Sequence, residues 1–360
     1  MFKFLRFFSR SSLLLASIGL CFACGESNVD PDSMTEPDLI VGNSPWPGFA
    51  AQFIAEDKGF YDTAGVNVQE KHTPVSADLG TDLLLGKVDM AWIGVNELLE
   101  IADGDDSLKL IAVSDYSNGA DGIVARGVSD PEDLVGKVIA WEELPLQSIL
   151  LSAYLKGSNV QPSQLQFQTM RPAAAKAAFL AQRVDAAIAY EPWLSEIAEA
   201  SDGQIIFNSE NTGLVAAVLV GREDFIADRK TDIVAYLQAL EQGTQFYEDH
   251  PEEAIDIAAD KLGIEDSQTL LPMMNSVRLV KPSEHSEIVF NQQSPLNIVN
   301  SMRFAAQVGK ATGEVRSSVD PNQLYDDSLV KAYRRAEIDK AEIDKDRAAI
   351  GTETRTSVRR

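Results

Sequence analysis

The residues best suited to chemistry in this chain lie at the exits of its predicted strands. Trp46 follows the apolar run Leu39–Val41, Trp92 ends Lys87–Ala91, Trp141 ends Lys137–Ala140, and Trp193 comes just after Ala186–Ala189. In an open α/β sheet, ligands bind beyond the carboxyl ends of the strands. Four large aromatics at such places predict the walls of a small-molecule pocket. The competing reading is core packing, since strand ends feed into cores and Trp is mostly buried. Polar residues share the same exits. Ser44 to Gly48 precedes a helix, and Pro47 and Gly48 suit its start, where orphan N–H groups could hold an anion or carbonyl or form a plain rigid turn. Gly94-Val95-Asn96 is placed likewise, with Asn96 able to donate and accept. Asn118 and Asp121 could reach a solute or cap a turn.

Further along, Trp141, Glu142, Gln147 and Ser148 flank one exit, Arg171 follows another, and Tyr190, Glu191 and Trp193 a third. Arg171 could fork onto a ligand anion, or pair with Glu142 or Glu191 and hold the loops still. Glu142 and Glu191 could accept hydrogen bonds from an amine or ring N–H, and aromatic faces favour a cation between them. A planar heterocycle or amine-bearing solute fits these residue types better than a bare inorganic anion.

Catalysis finds little support. The histidines are His72, His250 and His285, and no Ser/His/Asp spacing, phosphate loop or metal-ligand cluster accompanies them. His72 follows a strand and could line a pocket or sit on the surface, and His250 reads as a helix stop. Both cysteines, Cys21 and Cys24, lie near the start, so the body has no disulfide, thiol nucleophile or Cys metal site. No cofactor or metal is expected.

These residues are positioned by a repeating strand–helix rhythm. Strands are predicted at 38–42, 66–69, 88–93 and 108–113, with helices over 49–60 and 78–85 between them. A second set has strands at 138–141, 165–169 and 184–189 and helices over 146–156 and 173–182. Such alternation predicts mostly parallel sheets covered by helices. Leu83 to Ala91 is echoed by Phe179 to Ala187, each a helix end, a basic residue, then Val-Asp-x-Ala entering a strand. Two related lobes are therefore expected: 38–121 with a return at 213–332, and 128–212, with a hinge crossing at 122–127. The return segment is mainly helical, over 232–247, 252–262 and 295–311. Residues 333–360 read as a charged tail, disordered from Ala348.

Residues 1–23 read as an export signal, with Lys3, Arg6 and Arg10 ahead of an apolar stretch too short to span a membrane. Small Ala23 before Cys24 suits lipidation of that cysteine, although Cys21 stands where Leu is usual; plain secretion is the alternative. Residues 24–37 would then be an acidic linker. The net charge of −24 argues against nucleic acid and against direct association with anionic lipid, so a lipid anchor would be the membrane contact.

The sequence resembles extracytoplasmic substrate-binding proteins of ABC importers, of the nitrate/sulfonate/taurine (NMT1/THI5-like) type. The resemblance runs through Pro45–Phe49 with Ala55–Phe60, Leu85–Ala91, Ser117–Val124, Asp133–Lys137 and Val184–Trp193. It implies a two-lobed type II periplasmic-binding fold, closing on a small solute of sulfonate, taurine, nitrate or thiamine-precursor type. Delivery to a membrane permease and its ATPase is implied too, in a monomer at the outer face of the cytoplasmic membrane or in the periplasm. One departure stands out. Members often carry a Ser/Thr-rich turn after the second lobe's first strand, where this chain has Glu142-Glu143-Leu144-Pro145. A sensor subunit is an alternative that would share the pocket. The related pyrimidine synthases use a cysteine-rich motif and a histidine that this chain lacks.

Overall fold

A computed structural model describes residues 36–336 and Ile338, apart from Val75, Gly104, Asp106, Ser317 and Ser318. The expected signal segment, Cys24, nearly all of the linker and the end of the tail lie outside the described residues.

The chain first lays down β1 (Leu39–Asn43), a single turn at Pro47–Phe49, α1 (Ala50–Asp57), α2 (Phe60–Ala64), β2 (Val68–His72), α3 (Ser76–Leu84), β3 (Met90–Gly94), α4 (Val95–Ile101) and β4 (Leu108–Ser117). It then builds β5 (Asp121–Ala125), β6 (Val138–Trp141), α5 (Pro145–Leu155), β7 (Gln166–Thr169), α6 (Pro172–Leu180), β8 (Ala186–Tyr190), α7 (Trp193–Glu199) and β9 (Gln204–Asn208). Last come β10 (Ala216–Arg222), α8 (Glu223–Asp228), α9 (Lys230–Asp249), α10 (Pro251–Leu262), α11 (Leu271–Asn275), β11 (Val277–Leu279) and α12 (Ile298–Thr312). The expected single helix over 49–60 is interrupted at Gly59, whose φ of 65° starts a separate short helix.

Two sheets result. The first runs β11-β4-β10-β3-β1-β2 and the second β7-β6-β8-β5-β9. β1 pairs in parallel with β2 and β3 and β6 with β7 and β8, while β10 and β5, the strands arriving from the other lobe, pair antiparallel with their neighbours. Side-chain alternation along the strands feeds two cores per sheet. Met90 and Trp92 join α1, α9 and α10 on one face, and Ala91 and Ile93 join α3, α4 and α12 on the other. In the second sheet Ala186 and Ile188 pack with α5, and Ala187 and Ala189 with α6 and α7.

The Val-Asp-x-Ala echo has a structural cause. Asp89 accepts from the Ile40 N–H at 2.8 Å and returns its own N–H to the Ile40 carbonyl. Asp185 does the same for Val138, at 2.9 Å. Each aspartate thus pins the first strand of its lobe in one register, Val41 opposite Met90 and Ile139 opposite Ala186.

The chain passes between the sheets earlier than expected. Residues 122–125 are not a crossing but an interior, buried strand of the second sheet. A Cβ on Gly122 would stand 2.7 Å from the Phe207 carbonyl, so the small residue answers to close strand packing rather than to hinge motion. The links are 118–120 and 209–215. They are tied together by the buried Ser209 hydroxyl, 2.6 Å from Ser117 Oγ, which also accepts from the Gly119 and Asp121 N–H groups.

Candidate functional site

The carboxyl ends of β1 and β3, the end of β4 and the carboxyl ends of β6, β7 and β8 mark the crevice. On the first lobe its best-defined element is Asp115. β4 runs on past the expected end at Val113, carrying Ser114 and Asp115 to the strand's exit. Trp46 Nε1 donates to Asp115 Oδ1 at 3.1 Å, and Ser114 Oγ donates to Oδ2 at 2.5 Å. Gly48 lies directly against this pair. A Cβ there would fall 2.2 Å from Trp46 Nε1 and 2.5 Å from the Asp115 carboxyl, so only glycine lets the turn approach. Asp115 is 2% exposed. Burial pushes its carboxyl up to about 6 against the pull of its Ser114 and Trp46 hydrogen bonds, with the Asp121 charge adding to the rise.

Asp121 opens the second sheet and is also buried. Burial pushes it up to about 6 despite a hydrogen bond from Ser117, and the Glu191 charge adds to the rise. Tyr190 is half-buried at the end of β8, and its hydroxyl is raised by burial and then by the charges of Glu142 and Asp121. At the end of β6, Trp141 stacks on Phe167 with ring centroids 4.4 Å apart. Its Nε1 and the neighbouring Glu142 Oε2 are both buried and without a hydrogen-bond partner. Burial raises the Glu142 carboxyl, and the charge of exposed Arg171 partly offsets this. These strand ends therefore carry three carboxyls held above their ordinary range, two indole N–H groups and one guanidinium.

Other residues singled out from the sequence are engaged elsewhere. Trp92 is 1% exposed, and its Nε1 donates to Tyr236 OH at 2.9 Å inside the first lobe's core. Its position in β3 turns the indole toward the α1 and α9 face, so here the core reading holds. Gln147 uses both ends of its amide, accepting from the Glu142 N–H at 2.8 Å and donating to the Ile188 carbonyl at 3.1 Å. It shapes the Glu142 loop. Glu191 turns both oxygens to Ser195 on the first turn of α7, at 2.6 Å to the hydroxyl and 3.3 Å to the N–H. Asn118 Oδ1 accepts from the Asn211 N–H at 3.0 Å and joins the two crossings.

The Gly94 N–H goes to Glu97 at 2.7 Å, and Asn96 hydrogen-bonds Glu100. Ser148 is buried in the first turn of α5. Trp193 is half-buried and leans on the α6–α7 core of its lobe. Ser44 is half-buried directly after β1, at the place that Glu142 takes after β6. Of the histidines, buried His285 accepts from the Val113 N–H at 2.8 Å, and burial lowers it to about 4.

Residues 46–254 match the profile of NMT1/THI5 like proteins. The chain belongs to the NMT1/THI5 like family. Within reach of this family lie two curated relatives. The taurine-binding periplasmic protein of Escherichia coli (strain K12) is 24% identical over 315 residues, 84% of this chain and 93% of that one. A putative aliphatic sulfonates-binding protein of Bacillus subtilis (strain 168) is 21% identical over 327 residues, 89% and 95%. Among solved structures, the periplasmic aliphatic sulphonate binding protein SsuA from Escherichia coli aligns with a TM-score of 0.67 at 15% identity. That alignment covers 81% of this chain and 98% of that one, and shows the two-lobed periplasmic-binding fold. These family relatives are named as binding proteins. No helix among the described residues is long and apolar enough to cross a membrane.

Proposed function

We propose that this NMT1/THI5 like protein is the extracytoplasmic solute-binding component of an ABC importer, capturing a small organic solute between its lobes and handing it to a permease with its ATPase. It acts as a monomer without catalysis, held at the membrane by a lipid on Cys24. The solute carries an ammonium or ring N–H together with an acceptor group, and is not a bare inorganic anion. The observation that carries this reading is the pair of buried, unpartnered atoms at the exit of β6, the Trp141 Nε1 donor and the Glu142 Oε2 acceptor. Buried polar atoms normally find partners, and a solute offering one acceptor and one donor would supply both. Asp115 and Asp121 reinforce the preference, because a cation would relieve the cost of their ionisation.

Of the relatives, the taurine-binding protein fits a solute of this kind. Taurine, named in one of them, joins an ammonium to a sulfonate. The former suits the carboxyls, and the latter suits Trp141 Nε1 and Arg171. The test is a thermal-shift panel of nitrate, an alkanesulfonate, taurine, aminopyrimidines and simple amines. At ~100 times its Kd a solute should stabilise the fold by roughly 2.7 kcal/mol. A shift with an amine-bearing or heterocyclic member is expected. Stabilisation by nitrate or alkanesulfonate alone would overturn the proposed solute class, and no shift with any member would overturn the binding role.

A further inference from the structure

The two lobes meet at a second place besides the chain crossings. α5 belongs to the second lobe, yet Ile149 on it is 3% exposed and sits in the first lobe's core cluster, among residues of α4 and α12. Pro145 and Ile149 close one side of a shallow recess, whose other walls include Asn96, Glu100, Ala305 and Gly309. Ala305 and Gly309, four apart on α12, line the same recess, and Val315 fills the space beside Gly309. Just past the end of α5, Lys156 Nζ stands 5.5 Å from the centre of the Phe304 ring. α5 begins shortly after Glu142, so this contact and the candidate site share one helix and the loop before it.

We propose that Ile149 is a latch. It is an apolar peg on the second lobe that seats between α4 and α12 of the first, and it sets the balance between closed and open lobes before any solute binds. This rests on the two-lobed binding reading but concerns the solute-free protein. Crossings of only a few residues let the lobes swing. Opening therefore withdraws one isoleucine side chain into water while each lobe keeps the rest of its core. Burial of that side chain favours the closed form, and its truncation to alanine should lower the closed-to-open ratio by roughly ten- to a hundred-fold. Because the competent form sets apparent affinity, such a change is felt by any solute without touching it.

Small-angle X-ray scattering of the solute-free full chain tests the latch. Ile149→Ala, and more strongly Ile149→Glu, which adds a carboxylate beside Glu100 and Glu314, should raise the radius of gyration and maximum dimension above wild type. Ile149→Leu, which conserves volume, should match wild type. All variants should still unfold in one cooperative transition. Scattering of Ile149→Glu identical to wild type would overturn the latch, because the lobes would then not part at this contact. Loss of cooperative unfolding in Ile149→Ala would overturn it equally, because the side chain would then belong to a permanent core. Neither result bears on whether a solute binds, which the thermal-shift panel decides separately.

Discussion

Asp115→Asn separates the charge of the crevice from its shape. The asparagine carbonyl can still accept from Trp46 Nε1, and its amide can donate to Ser114 Oγ once that hydroxyl turns, so the Gly48 turn keeps its support. What disappears is a buried negative charge. The Asp115 carboxyl stands at about 6 in the fold against an ordinary 3.8. At about 1.4 kcal/mol per tenfold, the ionised group weakens the folded protein by roughly 3 kcal/mol. The sign follows from proton linkage. A carboxyl raised in the folded state holds its proton more tightly there, so the penalty is absent near pH 4, grows as the pH rises, and is complete above about 6. Thermal melts without solute should therefore show Asp115→Asn more stable than wild type at pH 7.5, by up to about 3 kcal/mol, with the gap closing toward pH 4.5. An amine-bearing solute should bind the variant more weakly at pH 7.5. A variant no more stable than wild type at pH 7.5, or one whose difference from wild type is the same at both pH values, would refute the argument.

Three further outcomes are expected. Gly48→Ala places a methyl within 2.5 Å of both Trp46 and Asp115, and should abolish solute binding while costing roughly 1–3 kcal/mol of stability by denaturant melt. Trp92→Ala should cost roughly 3–5 kcal/mol by the same assay, since it empties a core position and removes one hydrogen bond to the Tyr236 hydroxyl, whereas Trp46→Ala should cost less and weaken binding. Solute should change intrinsic tryptophan fluorescence in wild type, and Trp141→Phe should remove much of that change if Trp141 Nε1 gains its partner from the solute.

The lobes were legible because local signals and global packing agree. The Val-Asp-x-Ala echo marks the two residues, Asp89 and Asp185, that lock each lobe's first strand by the same hydrogen bond. Apolar alternation likewise places the starts of β1 to β4 and β6 to β8 to within two residues, while β2 and β4 run three and four residues past their expected ends. The crossings were harder to see. A run such as Gly122–Ala125 reads the same whether it links two lobes or lies buried inside one sheet. β11, with three residues between helical segments, offers too little periodicity to register.

The site was legible by place but not by orientation. Trp46, Trp141 and Trp193 do stand at or shortly past strand ends and Trp92 lies at the centre of β3, yet which face an indole takes depends on strand parity. Parity sends Trp92 into the core, while Trp46 reaches Asp115 from the turn after β1. Glu191 and Gln147 were claimed by near neighbours, Ser195 four residues on and the Glu142 N–H five residues back, local competition that strand-level reading passes over. Asp115 was missed because β4 was ended at Val113. The signal was an acid followed by Tyr116 in a segment that still alternated.

The proposed function makes Glu142 and Trp141 the donor–acceptor edge that meets the solute. The most direct measurement is calorimetric titration of the best solute from the thermal-shift panel into wild type and Glu142→Gln at pH 7.5. Loss of a charge-assisted hydrogen bond of about 1.5–3 kcal/mol should weaken binding by roughly ten- to a hundred-fold while leaving the melting temperature of the solute-free protein unchanged or higher. Equal affinity of wild type and Glu142→Gln would contradict the account.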